Sequence, residues 1–412
     1  MTSLRSRQAG ALRRLIVLGT VALTLGATVA CTLVPSRGPR EVVIGAVNPL
    51  TGSLAAQGKA VNDGIQYAVE EFNAGQGAQG YQLRLETRDD ESRPERATAA
   101  AEELIKGSGA VALVGGYVDT LVGAISEVAE RNQVPYVAAS SLDERLTARG
   151  YRYFFRVSKL ESFTASTVGV LRDLIRPSRV AILHSATPGS TQLAQRQREA
   201  LEASNIQVVV VESFSPGATD FTPALAKAKA LGAEALVVNG FLADNILALR
   251  QSREQGLGLK AFLGSFGMEF PALIAELGPL AEGSLGTTAW EPGVAAPGQE
   301  EASRQYVEGF RQRFGRDPDP LSMHGYAAAR AVIEAIVQAS RGGAAPEPAA
   351  VRDALTRLDL QLPMGRLRFD ERGDPVEYQR VIFQIQNGQH VVVYPLDRAT
   401  GRLQTLPSAV AR

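Results

Sequence analysis

Short apolar runs rich in valine and isoleucine recur along this chain, and most are followed by about ten to fifteen residues with helical spacing of their apolar positions. VVIGAV (Val42–Val47), VPYVAA (Val134–Ala139), VAILHS (Val180–Ser185), VVVVES (Val208–Ser213), ALVVNG (Ala235–Gly240) and AFLGSF (Ala261–Phe266) are such runs. Strands that alternate with helices build right-handed βαβ units on a parallel sheet. One series ends and another begins near residue 158, which predicts two similar α/β lobes. Helices of the second series are expected at 161–175, 190–203, 222–231 and 243–255. From Gly283 the order changes to helices near 301–314, 322–340 and 348–358, then to β-rich GRLRFD, YQRVIFQIQ and HVVVYP. The polar residues from Arg398 to Arg412 read as a fraying tail.

Within the first series, VALVGGYVDT (Val111–Thr120) is the stretch that points to a site. VALV reads as a buried strand that Gly115-Gly116 ends, and Asp119 or Thr120 is placed to cap a helix bearing Leu121, Ile125, Val128 and Ala129 on one face. A strand-to-helix turn leaves N–H groups unpaired at its mouth, where open α/β sheets hold small ligands. This turn is expected to be one wall of a cleft.

At 412 residues the chain exceeds one ordinary core, and its 45% hydrophobic and 21% charged content is that of a globular protein. The N-terminus differs. Arg5, Arg7, Arg13 and Arg14 precede an uncharged apolar run, Leu15–Ala30, which reads as an export signal over residues 1–30. Cys31, the single cysteine, ends TLGATVAC. That segment resembles a bacterial lipoprotein box, with Thr28 where the pattern prefers leucine. Lipid attachment at Cys31, and a membrane anchor through it, are expected; leader-peptidase cleavage near Ala30 is the alternative. One cysteine excludes an intramolecular disulfide. Residues 31–40 read as a tether. Without residues 1–30 the net charge is −4, which offers no footprint for nucleic acid.

Catalytic and cofactor motifs are missing from the sequence. GSGAVA at Gly107 and GLGLKA at Gly256 match a dinucleotide pattern, but each follows a helix and precedes a strand, the reverse of what a pyrophosphate site needs. No P-loop, HExxH, GxSxG or metal-spaced Cys/His cluster occurs. His184, His324 and His390 are scattered, with His184 read as a hydrogen-bonded structural residue and Trp290 as packing at a hinge. In PGATDF, Asp220 or Thr222 is expected to cap a helix. No cofactor and no metal are expected, and nothing supplies the nucleophile–base pair of an enzyme.

VVIGAVNPLTGSLAAQGKAVNDGIQYAVEEFN, RDDESRPERA, VALVGG, RLTARGYRYFFRV, PGATDF, LRQSREQGL and AEGSLGTT occur in one order and spacing. Together they resemble the branched-chain amino-acid-binding proteins of bacterial ABC importers over about Val42–Tyr394. The resemblance implies an α/β fold of two Rossmann-like lobes with mainly parallel sheets joined by a three-segment hinge, the type I periplasmic binding fold. It puts the crossings near Ser158, Thr287–Pro292 and Leu360–Met364. The N-terminal lobe is then 41–157 plus 291–360, the C-terminal lobe 158–290 plus 361–395, and the tail 396–412. Implied partners are a small ligand and permease subunits, implied location is the periplasm or cell surface, and a monomer is expected.

The resemblance also implies a pocket. Asp119 stands where the family has a serine on the ligand carboxylate, and Ser140, Ser141 and Leu142 match backbone groups and a threonine that complete that grip. Phe266 stands at the acid that takes the ammonium, Gly189 and Phe241 at covering aromatics, and Gln57 at the side-chain end; Tyr117 and Thr120 add polar contacts. A ligand carboxylate about 4 Å from Asp119 would be opposed by roughly 4 kcal/mol at an effective dielectric of 20, so the usual amino-acid pose is not expected. Two readings of Asp119 stand: it caps its own helix and fills the anion site itself, or it accepts hydrogen bonds from a ligand donor. The function expected is solute binding for an ABC importer, with ligand sensing for a receptor as the alternative.

Overall fold

A computed structural model of the chain describes residues 40–75, 81–340 and 346–406. The export signal, Cys31 and almost all of the tether lie outside the described residues. Among those described, no helix is long and apolar enough to cross a membrane.

The first lobe is built on β1 (Arg40–Asn48), β2 (Tyr81–Asp89), β3 (Ala112–Tyr117), β4 (Tyr136–Ser140) and β5 (Phe154–Arg156), in the order β2-β1-β3-β4-β5. β1 pairs with β3, β3 with β4 and β4 with β5, all parallel. Alternate residues of β1 enter different cores, because a strand sends successive side chains to opposite faces. Ile44 and Ala46 meet α1 (Ala55–Gly75) and the long α11 (Pro320–Ala339), and Val43 and Val47 meet α2 (Pro94–Lys106) and α3 (Asp119–Asn132). The strands are apolar on both faces for that reason.

The second lobe repeats the arrangement. Its sheet runs β14-β13-β10-β9-β8-β6-β7, from β6 (Arg179–Ser185), β7 (Gln207–Phe214), β8 (Ala235–Asn239), β9 (Ala261–Gly264), β10 (Leu285–Thr288), β13 (Val381–Gln386) and β14 (Gln389–Tyr394). The pairs from β7 to β10 are parallel, and β13 and β14 add antiparallel strands at one edge. α5 (Leu160–Val170) and α6 (Pro188–Ala203) cover one face. α7 (Thr222–Ala230), α8 (Leu242–Glu254) and α9 (Pro271–Leu277) cover the other. α5 runs on into a π-helical turn, Leu171–Ile175.

The chain leaves the first sheet at Val157, which lies in the first core, and enters α5 past Ser158. It returns after β10 at Trp290, which is fully buried in the first core, donates Nε1–H to Ser303 Oγ at 2.8 Å and meets Tyr306 edge-on. α10 (Glu300–Phe314), α11, the five-residue α4 (Glu144–Ala148) and α12 (Pro348–Leu355) complete the α-helices described.

Three expectations are corrected here. The chain does not cross back at Leu360–Met364: β11 (Leu360–Leu362) and β12 (Gly365–Leu367) form a small hairpin, and Leu362, Leu367 and Phe369 belong to the first core. Arg156 of β5 donates Nε–H to Asp374 Oδ1 at 2.5 Å, so the change of lobe falls between Asp374 and Val381. The start of the tail does not fray, since buried Gln384 and Gln386 donate to the carbonyls of Gln404 and Arg402. Gly115-Gly116 does not end β3. Both glycines take positive φ (103° and 83°) inside the strand, where a Cβ at Gly115 would press on Asn48 and one at Gly116 on the Tyr136 hydroxyl.

Candidate functional site

The strand ends of the two lobes face one cavity of about 50 Å³. The first lobe contributes Tyr117, Val118 and Asp119 from the end of β3 onward, and Ser140, Ser141 and Leu142 from the end of β4 onward. The second contributes Phe163 of α5, Thr187, Gly189 and Ser190 after β6, Phe241 after β8, and Phe266 after β9. Carboxyl ends of parallel strands are where open α/β sheets hold ligands.

Four aromatic rings, Tyr117, Phe163, Phe241 and Phe266, line the wall. Phe241 stacks on Phe266 at 5.8 Å, Phe163 meets Phe266 edge-on at 5.3 Å, and Tyr117 meets Phe241 edge-on at 6.2 Å. Such contacts are worth about 0.5–1.5 kcal/mol beyond the area they bury. The Arg380 guanidinium lies 3.7 Å from the Phe163 ring centroid and is held by Thr287 and the Tyr378 hydroxyl.

The backbone into the site is strained. Val118 has φ 63° and ψ 151°, a region where a β-branched residue costs on the order of 1–3 kcal/mol. α3 begins directly after it, at Asp119. The Asp119 carboxylate does not cap α3. Oδ1 accepts N–H from Leu142 at 2.7 Å and from Asp143 at 2.9 Å, and Oδ2 accepts N–H from Gly189, in the first turn of α6, at 2.9 Å. Burial pushes this carboxyl above its usual range, against the pull of those N–H donors. Beside it, Asp143 binds Arg145 and Gln192, which outweigh burial and hold its carboxyl below the usual range. The loop is fixed from below: Ser158 Oγ accepts the Ser141 N–H and donates to the Ser141 carbonyl, and Arg156 donates to the Asp143 carbonyl.

Of the residues expected from sequence, the structure brings together Tyr117, Asp119, Ser140, Ser141, Leu142, Gly189, Phe241 and Phe266 around this cavity. Gln57 is buried at the start of α1 and Thr120 is exposed; neither lines it. Val118, Phe163, Thr187 and Ser190 line it without having been read as site residues. Thr187-Pro188 carried a legible signal, an N-cap and Pro pair directly after a strand. Phe163, inside an ordinary apolar helix, carried none. His184, the penultimate residue of β6, lies outside the cavity, with Nδ1 3.0 Å from the Ser185 carbonyl oxygen. Asp220 accepts the Thr222 N–H at 2.8 Å in the PGATDF turn. No cluster of His, Cys, Asp and Glu among the described residues could hold a metal ion.

Two lobes of this topology, meeting at strand ends, match a family model described as periplasmic binding protein over residues 41–389. The chain belongs to the periplasmic binding protein family. Within that family, an amino acid binding protein of Pseudomonas aeruginosa is 27% identical over 347 residues, covering 84% of this chain and 90% of the relative. The branched-chain amino acid transporter substrate binding protein LivJ of Streptococcus pneumoniae, solved with isoleucine, superposes with a TM-score of 0.77 at 23% identity, covering 86% of this chain and all of the other. A solute binding protein of an R. palustris ABC transporter, solved with benzoate, gives 0.74 at 16% identity, covering 90% and 99%. This periplasmic binding protein thus has the type I fold of those neighbours, which are solute- or substrate-binding proteins of transporters.

Proposed function

We propose that this protein is the exported solute-binding component of an ABC importer, which takes a small organic ligand between its lobes and delivers it to a membrane permease. The observation that carries the reading is the cavity itself. Both lobes line it, so a ligand touching both favours the closed arrangement over the open one. Its polar groups hold and orient; the Asp119 carboxylate is engaged by three backbone N–H groups. The protein is a binder with no catalytic role, and it works as a monomer.

Diacylated Cys31 would hold it at the membrane beside its permease, with residues 31–40 as tether. Cys31→Ser should then move the protein from the membrane fraction to the soluble exported fraction; a wild type already soluble would contradict the anchor. The importer reading is tested by deleting the gene. Uptake of the small molecule that co-purifies with the wild-type protein should fall to background and return on complementation. Unchanged uptake would contradict the reading.

A further inference from the structure

The cavity already contains a carboxylate. Three backbone N–H groups, two from the first lobe and one from the first turn of the sixteen-residue helix α6 of the second, converge on Asp119 at 2.7–2.9 Å. Converging N–H groups, one at a helix N-terminus, form an anion seat, and here a side chain of the protein fills it. Gly189 is shaped to this arrangement. A Cβ there would overlap Asp119 Oδ2 and stand 3.0 Å from Leu142 Cβ, so no larger residue fits at position 189 while Asp119 is seated. A carboxylate offers about four lone-pair positions, and three are used. The rest of the wall is four aromatic rings, Val118, Leu142 and Gly189, with the hydroxyl residues Ser140, Ser141, Thr187 and Ser190. Thr187 and Ser190 bond each other at 2.8 Å, whereas Ser141 Oγ is buried and has no partner.

At about 50 Å³ the cavity is smaller than the roughly 150 Å³ that holds a benzene ring, and so must widen as the lobes part. We propose that it takes a neutral, carboxylate-free ligand with a flat apolar body and one hydroxyl or amide group for Ser141, and that the Asp119–Gly189 pair sets this specificity by filling the anion seat in advance. The proposal rests on the solute-binding reading and names its ligand class. Isoleucine and benzoate, bound in two structural neighbours, both carry a carboxylate. In this cavity that group would face Asp119 instead of free N–H groups. A cationic ligand gains little, because the Asp119 charge is already met by N–H dipoles and Arg380 lies against Phe163.

The test uses benzamide, benzoate and benzylamine as matched aryl probes in calorimetry, and acetate as a stand-in for the missing side chain. Wild type should bind benzamide at least about tenfold more tightly than benzoate or benzylamine. Asp119→Ala opens the seat, so benzoate should bind it at least about tenfold more tightly than it binds wild type. Acetate should raise the melting midpoint of Asp119→Ala and leave wild type unmoved. Asp119→Asn keeps the volume of the side chain but turns an NH2 donor toward one of the N–H groups, so it should respond to acetate less than Asp119→Ala does. Gly189→Ala should lower the melting midpoint of wild type and be tolerated in the Asp119→Ala background. Wild type that binds benzoate or benzylamine as well as benzamide, or fails to bind benzamide at millimolar concentration, would overturn the ligand class. Acetate that stabilises neither protein would overturn the seat. Because uptake in the deletion strain is measured separately, either reading can fail without the other.

Discussion

Arg156 shows how single residues hold this site. It is almost fully buried, bonds Asp374 at 2.5 Å, and donates to the carbonyls of Asp143 and Ser141 in the loop that grips Asp119. A buried charge stripped of its partner is costly, so Asp374→Ala should lose about 3–5 kcal/mol in chemical denaturation. An effect under about 1 kcal/mol would mean that the pair does not fix the loop. Buried Glu269 titrates in the range of interest. Burial pushes its carboxyl up to about 7, with Arg380 and His390 opposing and Glu291 adding to the rise. A carboxyl raised in the folded state contributes stability that is present below its unfolded pKa of 4.5 and is lost as pH rises through 7. Glu269→Gln should therefore stabilise the protein by about 2–3 kcal/mol at about pH 8 and have little effect at about pH 5. Equal effects at both would contradict the assignment. The residue types at 117, 119, 140, 141, 241 and 266 were legible in the sequence. The partners of Asp119 were not, because a short polar residue next to a helix looks like a cap, and its donors lie 23, 24 and 70 residues further on.

The elements were legible where periodicity is strong. β1, β4, β6, β8 and β9, and helices α6 and α8, fall within about two residues of their expected spans, because buried parallel strands and amphipathic helices leave patterns that sequence preserves. The third crossing was not legible. The β11–β12 hairpin carries apolar residues that suit either lobe, and Arg156–Asp374 decides which one the following loop joins. The tail misled for a similar reason: its polar residues are held by their backbone carbonyls, which composition cannot reveal. The α1–α11 contact is tight enough to require glycine. A Cβ at Gly325 would overlap the Val61 carbonyl, and one at Gly64 the Ser322 carbonyl. Gly325→Ala should force the helices apart and cost about 1–3 kcal/mol, read as a lower denaturation midpoint at unchanged slope. A neutral result would show that the contact can relax.

The whole molecule is two α/β lobes that face one cavity, lined by four aromatic rings and by the Asp119 carboxylate, which N–H groups of both lobes hold. The doubling of the lobes was legible as two series of strands. Which ligand they close on was not, because that depends on which atoms stay uncommitted once the lobes meet. The most direct measurement is a crystal structure of the protein with its co-purified ligand. The ligand should lie against Phe163, Phe241 and Phe266 with a polar group on Ser141 Oγ, and Asp119 should still be bonded to the N–H groups of Leu142, Asp143 and Gly189. A ligand carboxylate on those three N–H groups, with Asp119 swung away, would contradict it.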